Sequence, residues 1–377
     1  MSIYFDNAAS TPASPGAAGA AAEMSAANYG NPSALHGMGL NAERAVRAAA
    51  ERVAAALGCR APEVVFTSGG TEANNLAVLG CARARRRLGG HILTSAAEHP
   101  SVAQAVTALE SEGFSVTRLM PDGGGALDPA AAAAAVRPDT VLASFIHVNN
   151  ETGAINDARA LAAAVKRANP SAAVHIDGVQ AFCKVGVGLT DVDLYSISAH
   201  KLHGLKGTGA LFVRGGVRLA PLLYGGGQQN GFRPGTENTP GIAAFAAAIG
   251  EALPEMEKSA QNARNIRKIL MSLADGTDGV FINGDPIRSS PYILNMSFLG
   301  VKAEVLVHAL EERGVYVSTG AACSSRRKTG NHLKWLGLDA KRGESAVRFS
   351  FSRYNTEEEA RVCAEAVRNA VEELRRV

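Results

Sequence analysis

Cysteine is scarce in this sequence, and its pattern excludes several classes of protein. The chain of 377 residues has five cysteines, and no two of them have Cys-x-x-Cys spacing. An odd number without that spacing argues against a disulfide framework or a zinc site. The pattern therefore predicts a cytoplasmic protein in a reducing compartment, where one of the cysteines can still be reactive.

Excess charge and long apolar runs are missing as well. The formal net charge is +3 at pH 7, which is too small to indicate a nucleic-acid or membrane partner. Charges or glycines interrupt the apolar runs, so no segment is predicted to span a bilayer. The start, MSIYFDNAAS, has an acidic residue and no apolar core, so it is not predicted to be a signal peptide.

The middle of the chain alternates between two kinds of segment. Helix-prone stretches such as 72–88, 101–112 and 158–168 separate strand-like runs, which are EVVFTSGG, HILTSAAE, TVLASFIHVN, AVHIDGVQ, LYSISAHK and GALFVR. Such alternation is typical of a mostly parallel sheet with helices on both faces. We therefore predict an α/β fold.

The pattern changes near residue 250. A helical stretch over roughly 240–274 precedes YILNMSFLG, the helix-like KAEVLVHALEER, VYVS and AVRFSFS. The closing segment has a capping box, Thr356 with Glu359, followed by an apolar helical face. We interpret this region as a second, smaller α+β domain.

The stretch FTSGGTEANN, residues 66–75, is the first candidate for a ligand site. A strand ends there, glycines turn the chain, and a helix begins near Glu72. Backbone N–H groups at a helix start bind anions, and Ser68 and Thr71 add hydroxyl groups. The stretch therefore indicates either a phosphate cradle or a plain glycine turn with Thr71 as the N-cap.

Polar side chains follow other predicted strands. Asp177, in VHIDGVQ, lies at the edge where open α/β sheets bind ligands, and it could fix a cationic ring nitrogen. Asn150, in IHVNNETG, could donate to a ligand oxygen, and His99, in SAAEHPSV, could stack on a ring or transfer protons. Turn formation for Asp177 and Asn150, and a structural role for His99, are the alternatives.

The stretch SISAHKLHGLKG, residues 196–207, explains why these features occur together. Pyridoxal 5′-phosphate (PLP) needs a Schiff-base lysine, an acid at its pyridine nitrogen and an anion site for its phosphate. Lys201 directly follows a predicted strand, whereas Lys206 lies beyond a turn. The spacing favours Lys201 only slightly, and the set of residues predicts a PLP site.

These motifs resemble those of the cysteine desulfurases of NifS/IscS type, which belong to the class V aminotransferase family of PLP enzymes. The resemblance covers nearly the whole chain in the family's order, through YFDNAASTP, YGNPSALH, FTSGGTEANN, EH (98–99), HVNNETG, HIDGVQ, SAHKLHGLKG, GGGQQNGFRPGTEN, GAACSS and VRFSFSR. It implies a fold-type I enzyme with a mostly parallel seven-stranded sheet. The predicted large domain covers 14–254, and the small domain combines 1–13 with 255–377.

The resemblance also implies roles around the cofactor ring. Lys201 would bind PLP covalently, Asp177 would pair with its pyridine nitrogen, and Gln180 would contact its phenolic oxygen. His99 would stack on the ring and transfer protons.

Further implied residues hold the phosphate and the substrate. The implied phosphate site within one chain consists of Gly70, Thr71, Ser198 and His200. Thr236 would reach the phosphate of the neighbouring subunit, which implies a homodimer with shared sites. Asn150 and Arg348 would bind the substrate carboxylate, Arg348 through a bidentate fork.

Cys323 is the nucleophile that the resemblance implies. It lies in STGAACSSRRKTGN, whose small residues predict a mobile loop at about 320–332. Mobility suits a sulfur that must reach the cofactor and then leave it, and the basic residues 326–328 should favour the thiolate. The alternative is a small buried cysteine, which is the role we predict for the other four.

The implied reaction removes sulfur from L-cysteine, giving L-alanine and a persulfide on Cys323. The sulfur would pass to a protein acceptor that serves iron–sulfur cluster assembly, transfer-RNA thiolation or another thiolation pathway. Gln229 and Asn230 stand where the family usually has Glu and Arg, which removes the salt bridging expected there. The short stretch after the last helix also departs from family members whose longer tail docks an iron–sulfur scaffold.

Three other functions compete with this prediction. A selenocysteine lyase, a kynureninase-like hydrolase or an aminotransferase of the same class would share the cofactor residues but would not need Cys323. A non-catalytic scaffold subunit would not need Lys201, Asp177, Arg348 and Cys323 together. A nucleotide-binding dehydrogenase would show a G-x-G-x-x-G fingerprint, which does not open a βαβ unit here.

Overall fold

The computed structural model describes residues 2–319 and 333–376. The strands in these ranges are β1 Ile3–Tyr4, β2 Val64–Thr67, β3 His91–Ser95, β4 Ser115–Leu119, β5 Thr140–Ile146, β6 Ala173–Asp177, β7 Leu194–Ser198, β8 Gly209–Val213, β9 Val280–Ile282, β10 Ile293–Phe298, β11 Val315–Tyr316 and β12 Ala346–Ser350. The helices are α1 Pro15–Ala26, α2 Gly37–Leu57, α3 Gly70–Asn75, α4 Cys81–Ala84, α5 Pro100–Ser111, α6 Pro129–Ala135, α7 Ala158–Ala168, α8 Thr239–Ala252, α9 Met256–Gly276, α10 Ala303–Glu312, α11 Ala340–Glu344 and α12 Glu357–Arg375. None of these helices is both long and apolar enough to cross a bilayer.

The largest sheet of the described residues has seven strands in the order β2-β8-β7-β6-β5-β3-β4. The strands from β7 to β4 pair in parallel, whereas β8 is antiparallel to both of its neighbours. This arrangement confirms the predicted α/β fold with a mostly parallel sheet. The sequence did not predict β4, because this edge strand has exposed and half-buried positions instead of a continuous apolar run.

The sheet is covered on both faces, as the apolar strand runs predicted. Every position of β3, β5, β6, β7 and β8 is buried. Alternate residues enter different cores: Leu93 packs with residues of α2, α7 and α8, whereas Ile92 packs with residues of α3 and α5. Side chains alternate across a strand, so a strand buried on both faces is mostly apolar.

A smaller antiparallel sheet, in the order β12-β10-β9, follows in the chain. It packs with α9, α10 and α12 in a separate apolar core. The strand β1 pairs in parallel with β11, so the start of the chain lies beside this second unit. The predicted α+β pattern after residue 250 is present, and the exact domain boundaries remain a prediction.

The two helices at 239–276 differ from the single predicted stretch. Pro254 lies between α8 and α9 and breaks the helix, because proline lacks a backbone N–H and clashes with the preceding turn. The predicted capping box of α12 is present: the Glu359 N–H donates to Thr356 Oγ1 at 3.1 Å, and the Thr356 N–H donates to Glu359 Oε2 at 2.8 Å.

The parallel strands bring the candidate residues to one edge of the sheet. Asp177 is the last residue of β6, and Ser198 is the last residue of β7. A single 3₁₀ turn, Ala199–Lys201, follows β7 and carries Lys201. His99 follows β3 and Asn150 follows β5, so loops from neighbouring strands meet where open α/β sheets place their ligands.

His175 supplies a prediction about stability and pH. Its ring is fully buried in β6, 2.8 Å from Ser144 Oγ through Nδ1 and 2.9 Å from Ser196 Oγ through Nε2. Burial lowers the pKa of His175 to about 3, far below the value of about 6.5 in an unfolded chain. The unfolded state therefore binds a proton between these pH values and the folded state does not, so stability is lost as pH falls below 6.5.

We expect His175→Asn to reduce this loss. At pH 4.5 the histidine should account for about 2–3 kcal/mol of the fall in the free energy of unfolding relative to pH 7. Urea titrations of wild type and variant at both pH values and at one protein concentration measure it. An equal fall in the two proteins would show that His175 does not carry the effect.

Candidate active site

A cavity of about 520 Å³ opens at the carboxyl edge of the large sheet. The predicted site residues that line it are Gly70, Thr71, His99, Asn150, Asp177, Gln180, Ser198, His200, Lys201 and Arg348. Thr236 is not among the lining residues and is exposed on the surface of this chain. Cys323 lies outside the described residues.

Lys201 is held by the backbone at the start of the chain. Its Nζ donates to the carbonyl oxygens of Ala8 at 2.6 Å and Ala9 at 2.8 Å. Lys206 also lines the cavity, but its side chain is exposed, whereas Lys201 is half-buried. Desolvation activates an amine, so this difference supports Lys201 as the cofactor lysine.

Asp177 is a buried acid with two donors. Its side chain is only 3% exposed. The Val179 N–H donates to Oδ1 at 3.0 Å, and Asn74 Nδ2 donates to Oδ2 at 2.8 Å. A buried carboxylate needs such donors, and the arrangement orients the acid as a partner for a cationic ring nitrogen.

Gln180 lies three residues after Asp177 and faces the same cavity. Its Nε2 donates to the Ala8 carbonyl at 2.8 Å, and its Oε1 accepts from Lys184 Nζ at 3.4 Å. The Ala8 carbonyl therefore accepts from both Gln180 and Lys201. Burial lowers the pKa of Lys184 to about 7, and the nearby charge of Lys201 contributes to the shift.

His99 caps α5. Its Nδ1 accepts the Ser101 backbone N–H at 3.1 Å and lies 2.7 Å from Ser101 Oγ. Burial lowers the pKa of His99, and the nearby Asp177 opposes this shift. The neutral ring therefore predominates at pH 7.

The turn between β2 and α3 forms the candidate phosphate cradle. The helix begins at Gly70 with Gly69 as its N-cap, so the alternative in which Thr71 is the N-cap is wrong. Gly69 has φ 151°, a backbone conformation that residues with a side chain disfavour. With this residue as the N-cap, the helix begins at Gly70, one residue before Thr71. A Cβ atom added at Gly70 would lie 2.7 Å from Val179 Cγ2.

Two side chains opposite this turn have the character of an anion site. Ser198 Oγ is buried and has no hydrogen-bond partner within 2–319 and 333–376. Buried hydroxyl groups are rarely left unpaired, so this oxygen is available to a ligand. Burial and the neighbouring Lys201 lower the pKa of His200 to about 4, so its ring is a neutral donor or acceptor.

Arg348 lies in β12 with its side chain 3% exposed. Its Nη2 donates to Asp6 Oδ1 at 2.8 Å, and its Nη1 donates to the Asn150 carbonyl at 3.0 Å and lies 3.5 Å from Glu151 Oε1. Burial raises the pKa of Glu151 to about 7, although Arg348 opposes the shift. A bidentate fork from Arg348 to a substrate carboxylate therefore requires the guanidinium to give up one of these contacts.

Sequence reasoning assigned no role to Asp6, Glu151 or Asn74, although all three lie in motifs that the resemblance used. A buried arginine needs counter-charges, which is the signal that could have identified Asp6 and Glu151. Asn74 could not be found in this way, because its role depends on contacts with Asp177 and Ser101.

The residues present fit a phosphorylated pyridine cofactor. The unpartnered Ser198 hydroxyl and the close glycine turn suit a phosphate group. The buried Asp177 suits a pyridine nitrogen, and Lys201 can reach the same cavity.

Comparisons with known proteins agree with this geometry. The aminotransferase class-V family model matches residues 3–362, and the chain belongs to this family. The cysteine desulfurase IscS of Vibrio cholerae is 39% identical over 100% of this chain and 94% of its own. The solved structure of a NifS-like protein covers both chains fully, with a TM-score of 0.93 and 33% identity. That of SspA in complex with cysteine covers 94% of this chain and 100% of its own, with a TM-score of 0.83 and 31% identity.

These similarities confirm the predicted kind of enzyme, a PLP-dependent cysteine desulfurase. The roles of single residues are predictions that the geometry of the cavity supports.

Gly70 offers a test of the cradle. In Gly70→Ala the added methyl group would press on Val179, so we expect PLP affinity to fall roughly tenfold, or about 1.4 kcal/mol. Titration of the cofactor-free protein by absorbance measures it. Gly19→Ala is the matched control, because its Cβ would meet nothing within 4 Å. Unchanged affinity in Gly70→Ala would contradict this placement of the phosphate.

Proposed function

We propose that this chain removes the sulfur of L-cysteine, releases L-alanine and carries the sulfur as a persulfide on Cys323. The observation that carries the proposal is the single cavity that joins Lys201, Asp177, His99 and Arg348 in a chain of the class V family. The similar SspA structure contains cysteine, which supports the choice of substrate.

We propose a place around PLP for each residue that lines the cavity. Asp177 would face the pyridine nitrogen, Gln180 the phenolic oxygen and His99 the ring face, while Lys201 anchors the cofactor. The residues for the phosphate are Gly70, Thr71, Ser198 and His200. When bound, PLP withdraws electrons from the α-carbon of an amino acid.

The protein's own groups perform the proton transfers. We assign removal of the substrate α-proton to Lys201 Nζ, which lies within the cavity beside the Ala8 and Ala9 carbonyls. His99 is neutral at pH 7, so it can either accept or donate a proton.

Asn150 and Arg348 would hold the substrate carboxylate. A protonated Glu151, whose pKa is about 7, would reduce the repulsion of that carboxylate.

In the sulfur transfer, Cys323 is the nucleophile. Its thiolate forms an S–S bond with the substrate sulfur while the substrate Cβ–S bond breaks. The electron pair of that bond stays on Cβ, which takes a proton and becomes the methyl group of alanine. No external oxidant or reductant is needed, because sulfur and electrons are only redistributed between the two molecules.

The other cysteines support this assignment. Burial raises the pKa of Cys59 to about 11, and the pKa values of Cys81 and Cys183 to about 12. Burial raises the pKa of Cys363 as well. These thiols stay protonated at neutral pH, and a protonated thiol is a poor nucleophile.

We expect Cys323→Ser to abolish sulfur transfer, since a hydroxyl group cannot form the persulfide. Incubation with L-cysteine, followed by peptide mass spectrometry and an alanine assay, measures both products. Cys59→Ser should keep wild-type activity and provides the matched control. Alanine release and acceptor loading at the wild-type rate in Cys323→Ser would reject Cys323 as the sulfur carrier.

The acceptor and the assembly extend the proposal. We propose a protein acceptor, such as an iron–sulfur scaffold or a thiolation protein, in the reducing cytoplasm where a reactive thiolate persists. We also propose a homodimer in which Thr236 completes the phosphate site of its partner. The side chains of Tyr29, Leu35 and Tyr224 are exposed in this chain, at 67%, 106% and 89%, and each is available for contact with a second copy.

Mixed dimers test the position of Thr236. Combining Lys201→Ala with Thr236→Ala subunits should create one intact site in each mixed dimer, because that site takes Lys201 from one chain and Thr236 from the other. We expect the mixture, after subunit exchange, to be more active than either variant alone. If Thr236 served its own chain, the mixed dimers would hold no intact site and activity would not exceed that of Thr236→Ala.

A further inference from the structure

Asn74 connects two parts of the site that are far apart in sequence. Its side chain lies in α3 and is 1% exposed. Nδ2 donates to Asp177 Oδ2 at 2.8 Å and to Ser101 Oγ at 2.8 Å. An amide nitrogen has two hydrogens, and both have an acceptor here.

The orientation of this amide follows from its neighbours. A flipped amide would place Oδ1 against the Asp177 carboxylate, where two acceptors would repel each other. Asn74 Oδ1 itself is buried without a partner in the described part of the chain. The two hydrogen bonds donated by Nδ2 therefore outweigh the cost of an unpaired Oδ1, and they fix the orientation of the amide.

The chain of hydrogen bonds continues to His99. Ser101 Oγ accepts from Asn74, so its own hydrogen is available for His99 Nδ1 at 2.7 Å. The Ser101 backbone N–H also donates to Nδ1, at 3.1 Å. Because two donors converge on Nδ1, this nitrogen carries no proton in the neutral ring, and the ring hydrogen lies on Nε2.

We propose that Asn74 is a positioning residue that orients the Asp177 carboxylate and, through Ser101, fixes His99 as the Nε2–H tautomer. One neutral amide would thereby orient both the acid proposed for the cofactor's pyridine nitrogen and the histidine proposed for proton transfer. The importance of these two roles rests on the proposed function, whereas the tautomer itself does not.

Asparagine suits this place because it links the two groups without adding charge. Within the described residues, Asp177 raises the pKa of His99 and Lys201 lowers it. A carboxylate at position 74 would repel Asp177 and would accept the Ser101 hydrogen. Ser101 Oγ would then be an acceptor toward His99, which would favour a proton on Nδ1.

The decisive measurement is the tautomer of His99 by ¹⁵N NMR of histidine-labelled holoenzyme. His99→Gln identifies the signal among the nine histidines. We expect an unprotonated Nδ1 in the wild type. In Asn74→Asp the Nδ1 shift should move toward the protonated value. Ser101→Ala keeps the backbone N–H donor of residue 101, so its Nδ1 shift should move in the same direction by less, and Ser101→Thr, which keeps a hydroxyl group, should restore it.

Asn75→Ala is the matched control. Asn75 follows Asn74 in the chain, and its Nδ2 donates to the carbonyl oxygens of Thr71 at 2.9 Å and Ser101 at 3.2 Å. Neither bond involves the Ser101 hydroxyl group or Asp177. It should leave the His99 tautomer unchanged. An unchanged tautomer in both Asn74→Asp and Ser101→Ala would overturn the proposal, even if activity fell. Should Asn74→Asp fail to fold, the Ser101→Ala and Ser101→Thr pair decides alone.

Kinetics separate this inference from the proposed function. In Ser101→Ala we expect kcat with L-cysteine to fall roughly tenfold while KM stays near the wild-type value, as for lost hydrogen bonds that orient a functional group. Unchanged kcat with a changed tautomer would contradict the positioning role. A wild-type enzyme that does not release alanine would instead reject the proposed function, and the NMR result would still hold.

Discussion

The buried carboxylate of Asp177 is the constraint on which the site depends. A carboxyl group that is 3% exposed needs hydrogen-bond donors, and here the donors come from the turn after β6 and from α3. Asn74 extends this requirement to Ser101 in α5, and hence to His99. This one requirement therefore positions the turn after β6, α3 and α5 around a single cavity.

The start of the chain meets the remaining demands. Asp6 pairs with the buried guanidinium of Arg348, while the Ala8 and Ala9 carbonyls hold the amine of Lys201. These few residues contact both β12 and the turn after β7. They therefore link the two sheets at the place where cofactor and substrate would meet.

The sequence predicted the strands of the large sheet well, because strands buried on both faces are mostly apolar. It failed where packing relaxes that demand. The edge strand β4 needs no apolar run, and Pro254 breaks a stretch whose helical pattern looks continuous. The helix α3 begins at Gly70 and not near Glu72 as predicted, because Gly69 adopts a backbone conformation that the local turn requires.

The sequence by itself determined the fold class, the family and the chemical types at the site, since strand periodicity and local motifs are short-range properties. Only the tertiary structure decided how those groups are paired. Arg348 and Asp6 are 342 positions apart, and Asn74 and Asp177 are 103 apart. The raised pKa of Glu151 and the lowered pKa of His99 follow from the same cause, because burial and nearby charges set a pKa, and both arise only when the chain is folded.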